Sequence, residues 1–68
     1  MNSTEVLLIV LREMTAVGHG WRVNWSDFDG QKLCDQLNRI AAWAELALAA
    51  DVPSDFTEGN EFVDKQLA

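Results

Sequence analysis

The sequence predicts an all-α fold in which two antiparallel helices form a hairpin, and three observations support this. Residues 28–50 contain no proline, and their apolar side chains recur alternately every four and three positions, as in a helix seam. Residues 3–17 carry a second aliphatic run. Between the two runs, Gly18 and Gly20 give the backbone the freedom that a chain reversal needs. Residues 18–27 are therefore predicted to be an ordered Gly/Trp connector.

The first predicted helix covers residues 3–17. Asn2 or Ser3 can cap its start, and Asn2 and Glu5 have the spacing of a capping box. Gly18 stands where a left-handed residue commonly ends a helix. These signals place the first helix between a polar cap and a glycine.

The aliphatic run in this first segment also permits a second fold. Apolar residues from Val6 to Val10 point in every direction around a helix, so the same segment is compatible with a short buried strand. The alternative is a small α+β fold in which strands 6–11 and 21–25 form a hairpin packed on helix 28–50.

The second predicted helix covers residues 28–50. Ser26 is its expected N-cap, with Asp29 at the N3 position and Asp27 in the first turn, where acids suit the positive end of the helix dipole. Pro53 ends the element because proline cannot continue a helix. The hairpin domain is therefore predicted to span residues 1–53.

Self-association is predicted from the apolar end of the second helix. The segment IAAWAELALAA has one charged residue, and a helix that is apolar all round must be buried all round. The predicted helices also differ in length, at about 34 Å and about 21 Å, which leaves part of the longer one uncovered. Two hairpins would close a four-helix core. The residues expected to mediate this homodimer are Leu8, Leu11, Ile40, Trp43, Leu46 and Ala47.

Residues 54–68 are predicted to form an acidic, aromatic C-terminal tail. Phe56 and Phe62 stand among acidic residues in this segment. Two interpretations remain open. The phenylalanines dock on a groove of the chain itself, with a short helix over 61–67, or the tail is an arm that binds a basic partner.

The connector carries the residues expected to anchor a partner protein. Trp21, Arg22 and Trp25 stand close together, and Trp and Arg are the residue types that dominate binding energy at protein interfaces. The simpler interpretation is a lid over the open end of a small core. The predicted partner-binding set is Trp21, Arg22 and Trp25 together with Asp55, Phe56 and Glu58 from the tail.

The sequence offers little for catalysis or metal binding. One histidine, His19, and one cysteine, Cys34, are a weak zinc signal, and Cys34 falls on the predicted buried stripe of the second helix. The segment DFDG resembles part of a calcium loop, but Trp25 and Gln36 would then occupy two ligand positions. We therefore expect no catalytic residue, no cofactor and no metal.

Charge and hydropathy limit the partners and the compartment. The formal net charge is −6 and no segment is basic, so we expect no nucleic-acid ligand, because such binding depends on neutralised phosphates. The longest strongly apolar run, VLLIVL, is shorter than a membrane span, and a lone cysteine suits a reducing environment. The expected partner is another protein, for which a basic surface fits best, and the expected location is cytoplasmic.

Three functions are compatible with these features. The chain resembles, in size and composition, the small accessory proteins of bacteriophages and mobile elements, and this resemblance implies a non-enzymatic inhibitor that occupies a surface of a larger protein. The alternative is a structural or assembly subunit whose role is its own oligomer. A third hypothesis is an acidic mimic of nucleic acid, which requires carboxylates spaced like phosphates on one face.

Overall fold

The structure, a computed structural model, describes residues 1–49 and 51–68 and is helical in both ranges. Helix α1 spans Ser3–Val23, α2 spans Gly30–Leu48 and α3 spans Phe56–Leu67, and a 3-10 turn, Trp25–Asp27, lies between α1 and α2. Helices α1 and α2 pack against each other as a hairpin. The all-α prediction is confirmed, and the α+β alternative is wrong because both of its strand segments lie in helical or 3-10 structure.

The predicted capping box at the start of α1 is present. The Asn2 side-chain oxygen accepts a hydrogen bond from the Glu5 backbone N–H at 2.9 Å. In return, the Glu5 carboxylate accepts from the Asn2 backbone N–H at 3.4 Å. Two backbone donors that a helix start leaves without partners are satisfied in this way.

The first helix is longer than predicted, and the connector is correspondingly shorter. Helix α1 continues through Gly18 and Gly20 to Val23, and neither glycine has a positive φ. Val17 and Trp21 extend the stripe that faces α2, so packing outweighs a cost of about 1 kcal/mol for each helical glycine. Asn24 is the C-cap residue, and its backbone N–H and its side-chain amide both donate to the Gly20 carbonyl.

The start of α2 also differs from the prediction. Asp29, not Ser26, is the N-cap, and its carboxylate accepts hydrogen bonds from the backbone N–H groups of Gln31 and Lys32 at 3.0 and 3.2 Å. Asp27 belongs to the 3-10 turn instead of the first helical turn. Helix α2 therefore begins at Gly30 instead of residue 28, and the predicted end at residue 50 lies outside the described residues.

These corrections remove the predicted mismatch in helix length. Helix α1 has 21 residues and α2 has 19. At 1.5 Å per residue, both are about 30 Å long. The two helices of the hairpin therefore run side by side over nearly the same length. The hairpin has two broad faces, one above and one below the plane that contains the two helix axes.

Most of the segment predicted as a tail forms helix α3. Its N-cap is Asp55, whose carboxylate accepts from the Glu58 backbone N–H at 2.8 Å. The helix begins at Phe56 instead of residue 61 and packs along α2. The Phe56 ring stacks on the Trp43 indole, with 5.5 Å between ring centroids. Helix α3 and Phe56 thus dock on the chain itself, and binding of a basic partner by this segment stays a prediction.

The core lies where the three helices meet. Trp43 of α2, Val6 of α1 and Val63 of α3 are fully buried at its centre. Gly59 is essential to this packing, since a Cβ atom there would lie 2.5 Å from Cη2 and 2.7 Å from Cζ3 of Trp43. The remaining buried apolar residues are Val10, Ile40, Ala42, Leu46 and Ala47.

Polar contacts fix both ends of α3. The Arg39 guanidinium forms a salt bridge with Asp64 at 2.7 Å and also donates to the side-chain oxygen of Asn60. At the start of α3, the amino group of Met1 donates to the Ser54 carbonyl at 2.8 Å. The N-terminus of α1 is thus tied to the turn that leads into α3.

Replacement of Gly59 tests the docking of α3. We expect Gly59→Ala to lower the free energy of unfolding by about 2 kcal/mol, because the added methyl group overpacks the contact with Trp43. Gly20→Ala is the matched control, since nothing lies within 4 Å of its Cβ position. The control should raise stability by about 0.5 kcal/mol. Urea denaturation followed by circular dichroism measures both, and equal effects of the two substitutions would contradict this packing.

The hydrogen bonds from Ser54 to the Glu58 carboxylate are expected to make the stability of the fold depend on pH. The Ser54 hydroxyl and then the Ser54 backbone N–H donate to this carboxylate and hold the pKa of Glu58 below the ordinary value of 4.5. A lowered pKa in the folded state stabilises the fold above pH 4.5, and this contribution is lost as the pH falls through the folded value.

We therefore expect Glu58→Gln to destabilise the protein at neutral pH and to have a diminishing effect below pH 4.5. Urea midpoints measured across this range give the comparison. Glu61→Gln removes the same charge from the same helix and serves as the control. A difference between wild type and Glu58→Gln that grows as the pH falls would show that the carboxylate is not stabilised in this way.

Candidate protein-binding surface

One side of the hairpin is apolar and is left uncovered by α3. Helix α1 contributes Leu7 and Met14, which stand seven residues apart on one stripe, and α2 contributes Leu37 and Leu48. The exposed fractions of the four side chains are 48%, 52%, 50% and 87%. Together with Gly18 and Ala41 on the same stripes and with Trp25 and Phe28 at the hairpin turn, these side chains are termed the hairpin face.

Helix α3 lies on the opposite side of the hairpin. It is held by Arg39 and Trp43, which point away from Leu37 on the α2 helix, since side chains two or six positions apart fall on different sides of a 3.6-residue turn. On α2, the contact with α1 thus separates the positions that face α3 from the positions that belong to the hairpin face. One side of the hairpin is covered and the other is open.

The hairpin face is concave near the turn. A groove of about 380 Å³ lies there, with Met14 and Gly18 on one wall and Leu33 and Leu37 on the other. Its closed end is formed by Trp21, Trp25 and Phe28. A concave, apolar surface with an aromatic end is the type of groove that receives a large apolar side chain of a partner.

Trp21 makes its contacts within the hairpin. Its indole N–H donates to the Gln36 side-chain oxygen at 2.8 Å, which links α1 to α2. The ring meets Phe28 edge to face at 5.3 Å, and the Lys32 amino group lies 6.0 Å from the ring centroid. Trp21 is half-buried, and its polar atom is satisfied within the chain.

Trp25 is the tryptophan that faces outward. It is 68% exposed in the 3-10 turn and rests on Phe28, with 5.1 Å between ring centroids. Arg22 is also exposed, and its guanidinium lies 3.5 Å from His19 Nδ1. The cluster predicted as one anchor is therefore divided into an inward Trp21 and an outward Trp25.

The tail residues predicted to bind a partner lie at the other end of the hairpin. Asp55 caps α3, Glu58 accepts hydrogen bonds from Ser54, and Phe56 covers Trp43 while remaining 53% exposed. All three have a contact within the chain that explains their position. The structure does not bring them together with Trp25, because most of the length of α2 separates the two groups.

The residues predicted to mediate self-association divide in the same way. Ile40, Trp43, Leu46 and Ala47 are buried within the chain's own core, where α1 and α3 already cover them. Leu8 and Leu11 are exposed, and both line a shallow groove along the back of α1 beside Arg12, Thr15 and His19.

The hairpin face contains none of these six residues, and its large members include Leu7, Met14, Phe28, Leu37 and Leu48. Their spacing along each helix was a usable signal. That spacing did not indicate which side of α2 would be covered by α3.

His19 and Cys34 are not brought together. His19 lies in the groove at the back of α1, and Cys34 is exposed on α2 instead of lying on a buried stripe as predicted. Within residues 1–49 and 51–68, no group of three or more His, Cys, Asp or Glu side chains is arranged to hold a metal ion. None of the helices in these ranges is both long enough and apolar enough to cross a membrane.

Comparison with the families of known proteins, with curated proteins and with solved structures found no match to this chain. The chemistry of the hairpin face is therefore the basis for the function proposed below.

The two connector tryptophans should respond differently to truncation. Trp21→Ala is expected to lower the free energy of unfolding by about 2–3 kcal/mol, because it removes a half-buried ring and leaves Gln36 without its donor. Trp25→Ala should cost less than about 1 kcal/mol, since most of that ring is exposed. Urea denaturation of both variants at one low protein concentration decides the point. A larger loss for Trp25→Ala would contradict the assignment of the inward and outward rings.

Proposed function

We propose that the protein is a non-enzymatic protein-binding module and that the hairpin face is its binding surface. The observation that carries the proposal is the open apolar side of the hairpin. It contains six large side chains that are all between 46% and 87% exposed. Monomeric soluble proteins rarely expose a contiguous apolar surface of this extent, and such surfaces commonly mark interaction sites.

The composition of the hairpin face supports a protein as the partner. Aromatic residues and methionine are enriched at protein interfaces while charged residues are depleted from their centres, and the hairpin face has Trp25, Phe28 and Met14 with no ionised side chain among its members. Trp25 at the groove end has the exposure that an anchor residue needs. A nucleic acid would need a basic surface instead.

Two of the roles predicted from the sequence use this surface. An inhibitor would place the hairpin face on a larger protein, and an assembly subunit would place it on another copy. The nucleic-acid mimic gains less support, because Asp55, Glu58 and Asp64 of the α3 region are each engaged by a cap, a hydroxyl group or a salt bridge. Carboxylates that mimic phosphates would instead be aligned and directed outward.

Photo-crosslinking in host cells tests the proposal. One variant carries p-benzoylphenylalanine in place of Leu37 on the hairpin face, and the control carries it in place of Leu8 on the back of α1. The two positions are almost equally exposed, at 50% and 47%, so reactivity with solvent is matched. We expect protein adducts from position 37 and only background from position 8.

Mass spectrometry of the adducts identifies the partner and its size. Absence of protein adducts at position 37, or equal adducts at both positions, would contradict the proposed binding surface. An adduct at twice the 7.6 kDa chain mass would indicate a second copy, and a larger adduct would indicate another protein.

A further inference from the structure

We infer that the partner of the hairpin face is a second copy of this chain, so that two hairpins close a four-helix core with an α3 helix on each outer side. This inference rests on the proposed function, since it names the occupant of the same surface. It differs from the homodimer predicted from the sequence in the residues that form the interface.

The extent and shape of the hairpin face suit a second hairpin. Its six large side chains each leave on the order of 100 Å² exposed, so the face offers roughly 600 Å², against about 800 Å² per partner in a stable interface. The two helices have 21 and 19 residues and run the full length of the face. A second hairpin of the same length would cover this face from end to end and complete a four-helix arrangement.

The small residues on the stripes support close helix approach. Gly18 follows Met14 by about one turn of α1, and Ala41 follows Leu37 by about one turn of α2, where it is exposed. Nothing lies within 4 Å of the Cβ position at Gly18. Alternating large and small side chains on two copies can interdigitate, as they do in well-packed helical cores.

The distribution of charge permits two acidic copies to meet on this side. The chain has a net charge of −6, and five of its eleven acidic residues but one of its five basic residues lie in residues 51–68, which include α3. Helix α3 is separated from the hairpin face by the thickness of one helix layer, about 10 Å. That exceeds the screening length of about 8 Å at physiological ionic strength. The five acids of this segment are thus separated from the apolar surface by the hairpin.

The small core of one chain gives the second copy a role in stability. The described residues have eight buried apolar side chains, of which two are alanines. Chains of this size commonly need a disulfide, a metal or an additional subunit to be stable. Cys34 is the single cysteine, so no disulfide can form within the chain. Burial of Leu7, Met14, Leu37 and Leu48 against a copy would enlarge the small apolar core of each chain.

Sedimentation equilibrium of the purified full-length protein tests the inference. We expect wild type to approach twice the 7.6 kDa chain mass over a tenfold range of concentration. Met14→Lys and Leu37→Lys should each weaken association at least about tenfold. Both substitutions make the chain less negative, so a loss of association cannot come from added repulsion. Leu8→Lys adds the same charge at a similarly exposed position on the back of α1 and should leave association unchanged.

Salt dependence separates self-association from attraction to a basic surface. Added salt should strengthen the dimer or leave it unchanged, because salt screens the repulsion between two acidic chains. Circular dichroism shows whether each lysine variant is folded. The mass of the wild-type protein tests the inference even if a variant does not fold. A monomeric wild type, or a dimer that persists in both folded face variants, would overturn the inference. A monomer whose position 37 still crosslinks to another protein would leave the proposed function standing.

Discussion

The contact between Trp43 and Gly59 determines which surfaces of this protein are closed and which are open. The indole is the largest fully buried side chain, and it reaches the α3 backbone because Gly59 has no Cβ. That approach seats α3 on one side of the hairpin, and the Arg39–Asp64 salt bridge fixes its far end. Because α3 covers only one of the two sides of the hairpin, this contact leaves the hairpin face, on the other side, open. Fold and candidate function therefore share one packing interaction.

The arrangement also separates apolar and acidic surface. The acidic C-terminal segment forms the outer layer, and the uncharged stripes of α1 and α2 form the inner one. A mixture of the two on one side would oppose both self-association and binding to an apolar partner, because buried charges without partners are costly. Their separation is consistent with the proposed association through the hairpin face.

The sequence predicted the helical fold, the Asn2–Glu5 capping box and the approximate path of both long helices, because apolar periodicity and caps are local signals. It failed where long-range packing decides. Gly18 and Gly20 read as a chain reversal, but Val17 and Trp21 find partners on α2 and draw the helix through them. Ile40, Trp43 and Leu46 read as a surface that needs a second copy, because the sequence did not show that α3 would cover them. The sequence indicated that the chain has more apolar surface than it can bury. Where that surface lies depended on how α3 packs on α2.

The most direct test of this account is an isotope-filtered nuclear Overhauser experiment on a mixture of labelled and unlabelled full-length protein, which records contacts between chains alone. We predict intermolecular signals from the methyl groups of Leu7, Met14, Leu37 and Leu48 and none from Val63 of α3. Intermolecular signals from Val63, or a sample without any intermolecular signal at high concentration, would contradict it.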